Sequence, residues 1–269
     1  MNGTGGAASA AERGLAALLV ALACTACAVT VPPTDEPQGF VGTSSQPEGT
    51  SGSDPSTPVA SPSPSPARST PRAPVAPRAG SALAALTHLP DKGRAPMTGY
   101  ARAQFGGRWP DVDGNGCDTR NDILVRDLTR VRFRSGSDCV VATGRLLDPY
   151  TGATVAFVRG AATSSAVQID HVVALGDAWQ KGAQRWTAAT REAFANDPLN
   201  LLAVGGSVIQ RKGDGDAATW LPPRTSYRCA YVARQIAVKT RYRLAVTAAE
   251  RDAMQRVLAR CPAQPLPTR

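Results

Sequence analysis

The stretch Val167-Gln168-Ile169-Asp170-His171-Val172-Val173-Ala174-Leu175 decides how this chain is read: an apolar, β-branched run is interrupted by one carboxylate and one imidazole. Alternation of Val167 and Ile169, followed by Val172 and Val173, predicts a mostly buried strand. Polar groups in such a strand must be partnered or at work, because an unpaired buried carboxylate is strongly disfavoured. Two readings follow from the dipeptide alone. Asp170 hydrogen-bonds the ring of a structural His171, or the pair is a catalytic centre. The chain holds only two histidines. The other, His88, sits near the end of a short Ala and Leu helix expected over 81–89, where a cation suits the helix C-terminus, and it is left outside the site.

Downstream, helical patterns over 176–181 and 187–195 lead to the turn Asn196-Asp197-Pro198-Leu199 and a second short apolar strand, Leu201-Leu202-Ala203-Val204, with Asn200 at its start. A helix start at Ser207 then runs into a Gly- and Asp-rich loop ending near Trp220. Strand with Asp-His, excursion, strand with Asn, then helix is the order of a ββα-metal unit. Further on, 224–243 predicts a long helix, and Thr247-Ala248-Ala249-Glu250 is a capping box that opens a last helix through Cys261. Upstream, Cys139–Gly144 and Thr154–Val158 are strand-like runs around the turn sequence Asp148-Pro149-Tyr150-Thr151-Gly152, a hairpin.

Before the hairpin, Asp111, Asp113 and Asn115 place oxygen ligands at positions one, three and five of a calcium loop, with Gly116 at six and Asp122 at twelve. Asp stands where such loops carry a bidentate Glu. The competing reading is a tight turn whose Asp residues cap the helix that Asn121-Asp122-Ile123 begins. Arg120, beside that helix start, suits a phosphate.

Export is expected from the N-terminus. Leu15–Ala23 has the length of a signal h-region and is too short to span a bilayer. Small residues follow it, and Cys24 and Cys27 lie in sequences resembling lipoprotein boxes, so a lipid anchor is a further expectation. The domain reading is a signal over 1–28, a disordered Pro/Ser/Thr-rich tether over 29–79 and a folded domain over 80–269, with no membrane span in the mature chain. From Gly80 onward there are 26 Lys and Arg against 16 Asp and Glu. A basic exported domain suits a polyanion such as nucleic acid or a wall polymer. Four cysteines remain there: Cys117, Cys139, Cys229 and Cys261. An even number in an exported domain argues for two disulfides, with three connectivities open. In an antiparallel pair formed by the last two helices, Cys229 and Cys261 are neighbours, which favours that pairing and leaves Cys117 with Cys139.

Taken together, Ile169–Leu175, Ala178-Trp179, Phe194–Val204 and Lys212-Gly213-Asp214 resemble the HNH endonucleases. The branch is the one holding the C-terminal nuclease module of GmrSD-type restriction enzymes and its secreted actinobacterial relatives. The resemblance implies an α+β fold, a ββα-metal (HNH, His-Me finger) core with an added hairpin and a C-terminal helix pair. It implies His171 as general base, Asp170 as ligand of a divalent cation, and Asn200 holding the catalytic loop or the imidazole. Arg120, Arg211 and Lys212 are expected at substrate phosphates from charge and location. Family members carry a His or Asn as second metal ligand where this chain has Ile209, which cannot ligate. Mg²⁺ or Mn²⁺ is therefore expected over Zn²⁺, with Gln210, Asp214 or Asp216 as substitute ligands and calcium confined to the separate loop. The expected function is an exported, monomeric, metal-dependent endonuclease acting on nucleic acid, DNA before RNA. The competing expectation is a nuclease-like domain that has lost hydrolysis and binds polyanions.

Overall fold

The computed structural model of the protein describes residues 77–268. The expected signal, Cys24, Cys27 and nearly all of the tether lie outside the described residues. Within them the chain is a mixed α+β fold of two small antiparallel sheets and seven α-helices. None of the described helices is long and apolar enough to cross a membrane.

Short polar residues start the first helices. Ser81 caps α1 (Ala82–Leu86) by accepting from the Ala84 amide, and Asp118 caps α2 (Thr119–Asp127) by accepting from that of Asn121. The helical pattern does not continue past Asp127. Leu128 begins β1 (Leu128–Phe133), which pairs with β2 (Val141–Leu147), itself paired with β3 (Thr154–Val158). Sequence reading missed β1, because a bulge between Thr129 and Arg132 breaks its alternation, with Arg130 at φ 55°. Gly144 in β2 is needed for close approach: a Cβ there would lie 2.6 Å from Leu128 Cδ2.

The Asp-His strand is β4 (Val167–His171), as its pattern predicts. After α3 (Leu175–Gln180) and α4 (Ala188–Ala195, capped by Thr187), the chain returns as β5 (Leu201–Gly205), antiparallel to β4, and turns at once into α5 (Gly206–Lys212). Every residue of β5 is buried. Leu201 and Ala203 join Ile123, Leu128, Leu146, Phe157, Val167 and Ile169 in one apolar cluster, while Leu202 and Val204 join a second with Val172, Tyr231 and Ile236. Each large aliphatic side chain so buried contributes about 1.5–3 kcal/mol. β5 is thus the wall between two cores, and β4 beside it presents opposite faces to each.

The long helix is α6 (Arg228–Tyr242), preceded by a 3-10 turn rather than starting at Arg224, and it packs on α7 (Ala248–Leu258). Both disulfides join the expected partners, Cys117 with Cys139 and Cys229 with Cys261, at Cα separations of 5.2 and 6.5 Å. The capping box is only half formed. Thr247 accepts from the Glu250 amide, but the Glu250 carboxylate turns inward, where it pairs with Lys181 and Lys239. These three side chains, with Asp177 and Asp216, are essentially fully buried, and Arg94 closes the cluster on Asp216 at 2.6 Å. Three carboxylates meet three cations, so the group is neutral as a whole. Burial pushes the Asp177 carboxyl up, but Lys239 and Lys181 outweigh it and hold it below the usual range.

Candidate active site

Strand alternation separates the two residues of the Asp170-His171 pair. Asp170 faces the second core and is only 6 % exposed. Its Oδ2 accepts from the Tyr150 hydroxyl at 2.6 Å and its Oδ1 from Lys212 Nζ at 3.0 Å. Tyr150 is delivered there by the β2–β3 turn. Asp148 accepts from the Tyr150 amide and the Thr151 hydroxyl, and Gly152 takes the left-handed φ of 81° that closes the turn. Burial and the neighbouring Asp170 carboxylate push the Tyr150 phenol well above its ordinary value, so it stays a proton donor. Lys212, expected at substrate phosphates, is buried at the end of α5 with its ammonium also on the His171 carbonyl at 2.8 Å. Ile209, one turn earlier, packs against the second core.

His171 faces the other way, into a cleft of about 220 Å³ lined by Arg102, Arg108, Trp109, Arg120, Gln168 and Ile169. Its Nε2 lies 2.9 Å from the Ala195 carbonyl. A carbonyl only accepts, so Nε2 carries the proton and Nδ1 keeps its lone pair. The ring lies parallel to Trp109, at 10° and 6.2 Å between centroids. Trp109 holds a left-handed φ of 56°, a conformation costly for a bulky residue, which places strain beside the imidazole. Burial lowers the imidazole pKa to about 4, and the positive charges of Arg102 and Lys212 add to the effect. His171 is therefore neutral at physiological pH.

Asn200 does not touch the imidazole. Fully buried, it accepts from the Val173 amide at 2.9 Å and donates to the Val173 and Phe194 carbonyls. It ties the exit of β4 to the end of α4, and the next carbonyl along, that of Ala195, is the one that holds His171. The structure thus brings Asn200 and His171 into one unit by way of the backbone.

Three guanidiniums line the cleft, and none forms a salt bridge among the described residues. Arg102 donates to the Gly106 carbonyl and Arg120 to that of Val167. Burial and like-charged neighbours, Arg108 for the first and Arg159 for the second, lower the pKa of both. Cations left with carbonyls alone make an anion site. Arg120, expected at a substrate phosphate, lines this cleft. Arg211 is exposed on α5 and does not line the cleft. Arg102, Arg108 and Trp109 were missed in sequence. Their spacing, Arg102-Ala103-Gln104-Phe105-Gly106-Gly107-Arg108-Trp109, carried a signal only in its unpaired arginines.

The expected calcium loop closes on itself. Asp111 accepts from the amides of Gly114, Asn115 and Gly116, and the Asn115 amide donates to Asp113 and Asp122. Asp118, rather than any of these, caps α2. As arranged, the residues around Asp170 do not fit a divalent cation, because an ammonium already occupies one carboxylate oxygen, a phenol the other, and the α5 position is apolar. Among the described residues no group of three or more His, Cys, Asp or Glu could hold a metal.

The family model described as GmrSD restriction endonucleases, C-terminal domain, matches residues 118–257. An "Uncharacterized secreted protein" of Arthroderma benhamiae (strain ATCC MYA-4681 / CBS 112371) is 41% identical over 200 residues, spanning 74% of this chain and 92% of that protein. No solved structure matches.

Proposed function

Since this chain belongs to the family of GmrSD restriction endonuclease C-terminal domains, we propose that it is an exported nuclease of the HNH type that hydrolyses phosphodiester bonds in nucleic acid, DNA before RNA, with His171 as general base. The observation that carries the proposal is a neutral imidazole with a free Nδ1 among three unpaired arginines. The protein belongs outside the cytoplasm, in keeping with its two disulfides and with a relative that is described as secreted.

In this reading the scissile phosphate sits among Arg102, Arg108 and Arg120. Nδ1 of His171 takes a proton from a water, whose oxygen bonds to phosphorus as one ester P–O bond breaks, and the leaving alkoxide is protonated from solvent. The guanidiniums stabilise the charge that builds on the non-bridging oxygens. Asp170 acts through Lys212 and Tyr150, fixing β4 against α5. A divalent cation, the expected cofactor, would have to displace the Lys212 ammonium to reach Asp170. A second reading, a basic binding module without hydrolysis, draws on Ile209 and on the Lys212–Asp170 pair. One assay separates them: supercoiled plasmid and labelled RNA incubated with the full chain and with His171→Ala, each with Mg²⁺, Mn²⁺ or chelator. Cleavage by the wild type alone supports the nuclease, and equal behaviour of the two proteins removes it.

A further inference from the structure

The three-stranded sheet has an outer face that no function so far accounts for. Direct cross-strand partners share a face, so Thr129, Arg145 and Ala156 form one outer row and Arg132, Thr143 and Val158 the next. Arg130 and Arg134 are exposed on the same segment, and none of these four arginines enters a salt bridge among the described residues. The only acids between residues 128 and 160 are Asp138 and Asp148, and Asp148 is buried in its turn. Apolar side chains are interleaved with the charges: Leu147 is 61% exposed and Val158 48%.

This face is continuous with the cleft. Ala156 and Val158, on the outer face of the edge strand β3, line a groove of about 510 Å³ whose other wall is Ser207 and Gln210 of α5. Gly206 lines it beside Ser165, packed so closely that a Cβ there would collide with the Ser165 carbonyl. Gln168 lines both this groove and the His171 cleft. The groove holds no charged side chain, only amides, hydroxyls and small apolar groups. A neutral passage between two basic surfaces matches a chain whose charges recur between neutral units.

We infer that the outer face of the β1–β2–β3 sheet is a phosphate-backbone tract for the polynucleotide, and that the groove between β3 and α5 leads the strand from it to His171. The identity of the strand rests on the nuclease reading. Arg132 and Arg145 take phosphates outside the cleft, and the interleaved apolar side chains meet sugars and bases.

The test uses the full chain carrying His171→Ala, which keeps the probe intact, and a labelled 30-nucleotide DNA, single-stranded and duplex. The expected result for R132E/R145E is a Kd raised at least tenfold at ~50 mM salt and a log–log salt slope reduced by about 1.5. The milder pair R132Q/R145Q is expected to reduce the slope equally, which guards against misfolding, and R256E/R260E, at the end of α7 and just past it, to leave it within error. In the His171-bearing protein, R132E/R145E and the groove-blocking Ser207→Trp should lower kcat/KM on the 30-mer more than tenfold while leaving hydrolysis of bis(p-nitrophenyl) phosphate unchanged. An unchanged slope, or an equal loss in the α7 pair, overturns the tract. So does a requirement for Arg132 and Arg145 in binding phosphatidylglycerol vesicles but not DNA. Wild type that cleaves nothing removes the nuclease reading, while the binding slopes still decide the tract.

Discussion

Replacing His171 by Gln should flatten the acid side of the stability profile, and the size of the effect follows from the site. In the unfolded chain an imidazole titrates near 6.5, whereas in the fold burial and the flanking cations bring it to about 4. Between those values the unfolded state binds more protons than the folded one, so stability falls as pH falls and is restored as pH rises through the window. At pH 5 about 97% of unfolded-state imidazoles and about 9% of folded ones are protonated, which amounts to at most about 2 kcal/mol lost relative to pH 8. That is a sizeable part of the roughly 5–15 kcal/mol that holds an ordinary domain together. Urea unfolding of wild type and His171→Gln at pH 8 and pH 5 measures it, and the wild type should lose about 2 kcal/mol more than the variant. In a His88→Gln background a single imidazole remains, and its proton resonances should shift with a midpoint two or more units below 6.5. The acid limb of kcat/KM should follow the same midpoint. Equal pH dependence in the two proteins, or a midpoint near 6.5, would refute the assignment of a buried, neutral base.

Lys212→Met leaves the Asp170 carboxylate buried with Tyr150 alone and should cost about 3–5 kcal/mol by thermal or urea unfolding, whereas adding Asp170→Asn should recover part of the loss, a coupling that a double-mutant cycle reads directly. Tyr150→Phe removes a 2.6 Å hydrogen bond to a charged group and should destabilise by about 1.5–3 kcal/mol without changing the pH midpoint of His171. Asn200→Ala leaves the Val173 amide without its acceptor. It should lower kcat more than KM on any cleavable substrate and broaden the His171 resonances as the Ala195 carbonyl loses its anchor. Lys239→Met leaves Asp177 and Glu250 to Lys181 and Arg94 and should lower the melting temperature by about 6–20 °C, seen by calorimetry.

Much of the scaffold was legible because it depends on local rules. The β4 pattern, the second strand after Asn200, the Thr247 cap and the turn at Asp148–Gly152 all reflect nearest-neighbour chemistry. Both disulfides followed from helix order. What stayed hidden depends on packing across the chain. Nothing near Glu250 in sequence announces that its carboxylate leaves the cap for Lys181 and Lys239, 69 and 11 residues away. Alternation along β4 is visible in the sequence, but what each face meets is not: Asp170 and His171 are adjacent in sequence and sit on opposite sides of a strand. Lys212 looked like a phosphate contact because it is a lysine beside Arg211 in a Gly-rich segment, and its ammonium proved to be the partner of Asp170. Arg102, Arg108 and Trp109 reach the site only because the segment before α2 crosses it.

That crossing sets where the working unit begins. The family match starts at residue 118, past Arg94, Arg102, Arg108 and Trp109. A fragment trimmed to the matched boundaries would keep the imidazole and its carbonyl, but would lose two of three cleft guanidiniums, the stacking indole and the cation that closes the buried charge cluster. For expression, domain grafting or inheritance by fusion, the indivisible segment therefore starts near residue 80, and the stretch ahead of the family-matched core is a working part of the cleft.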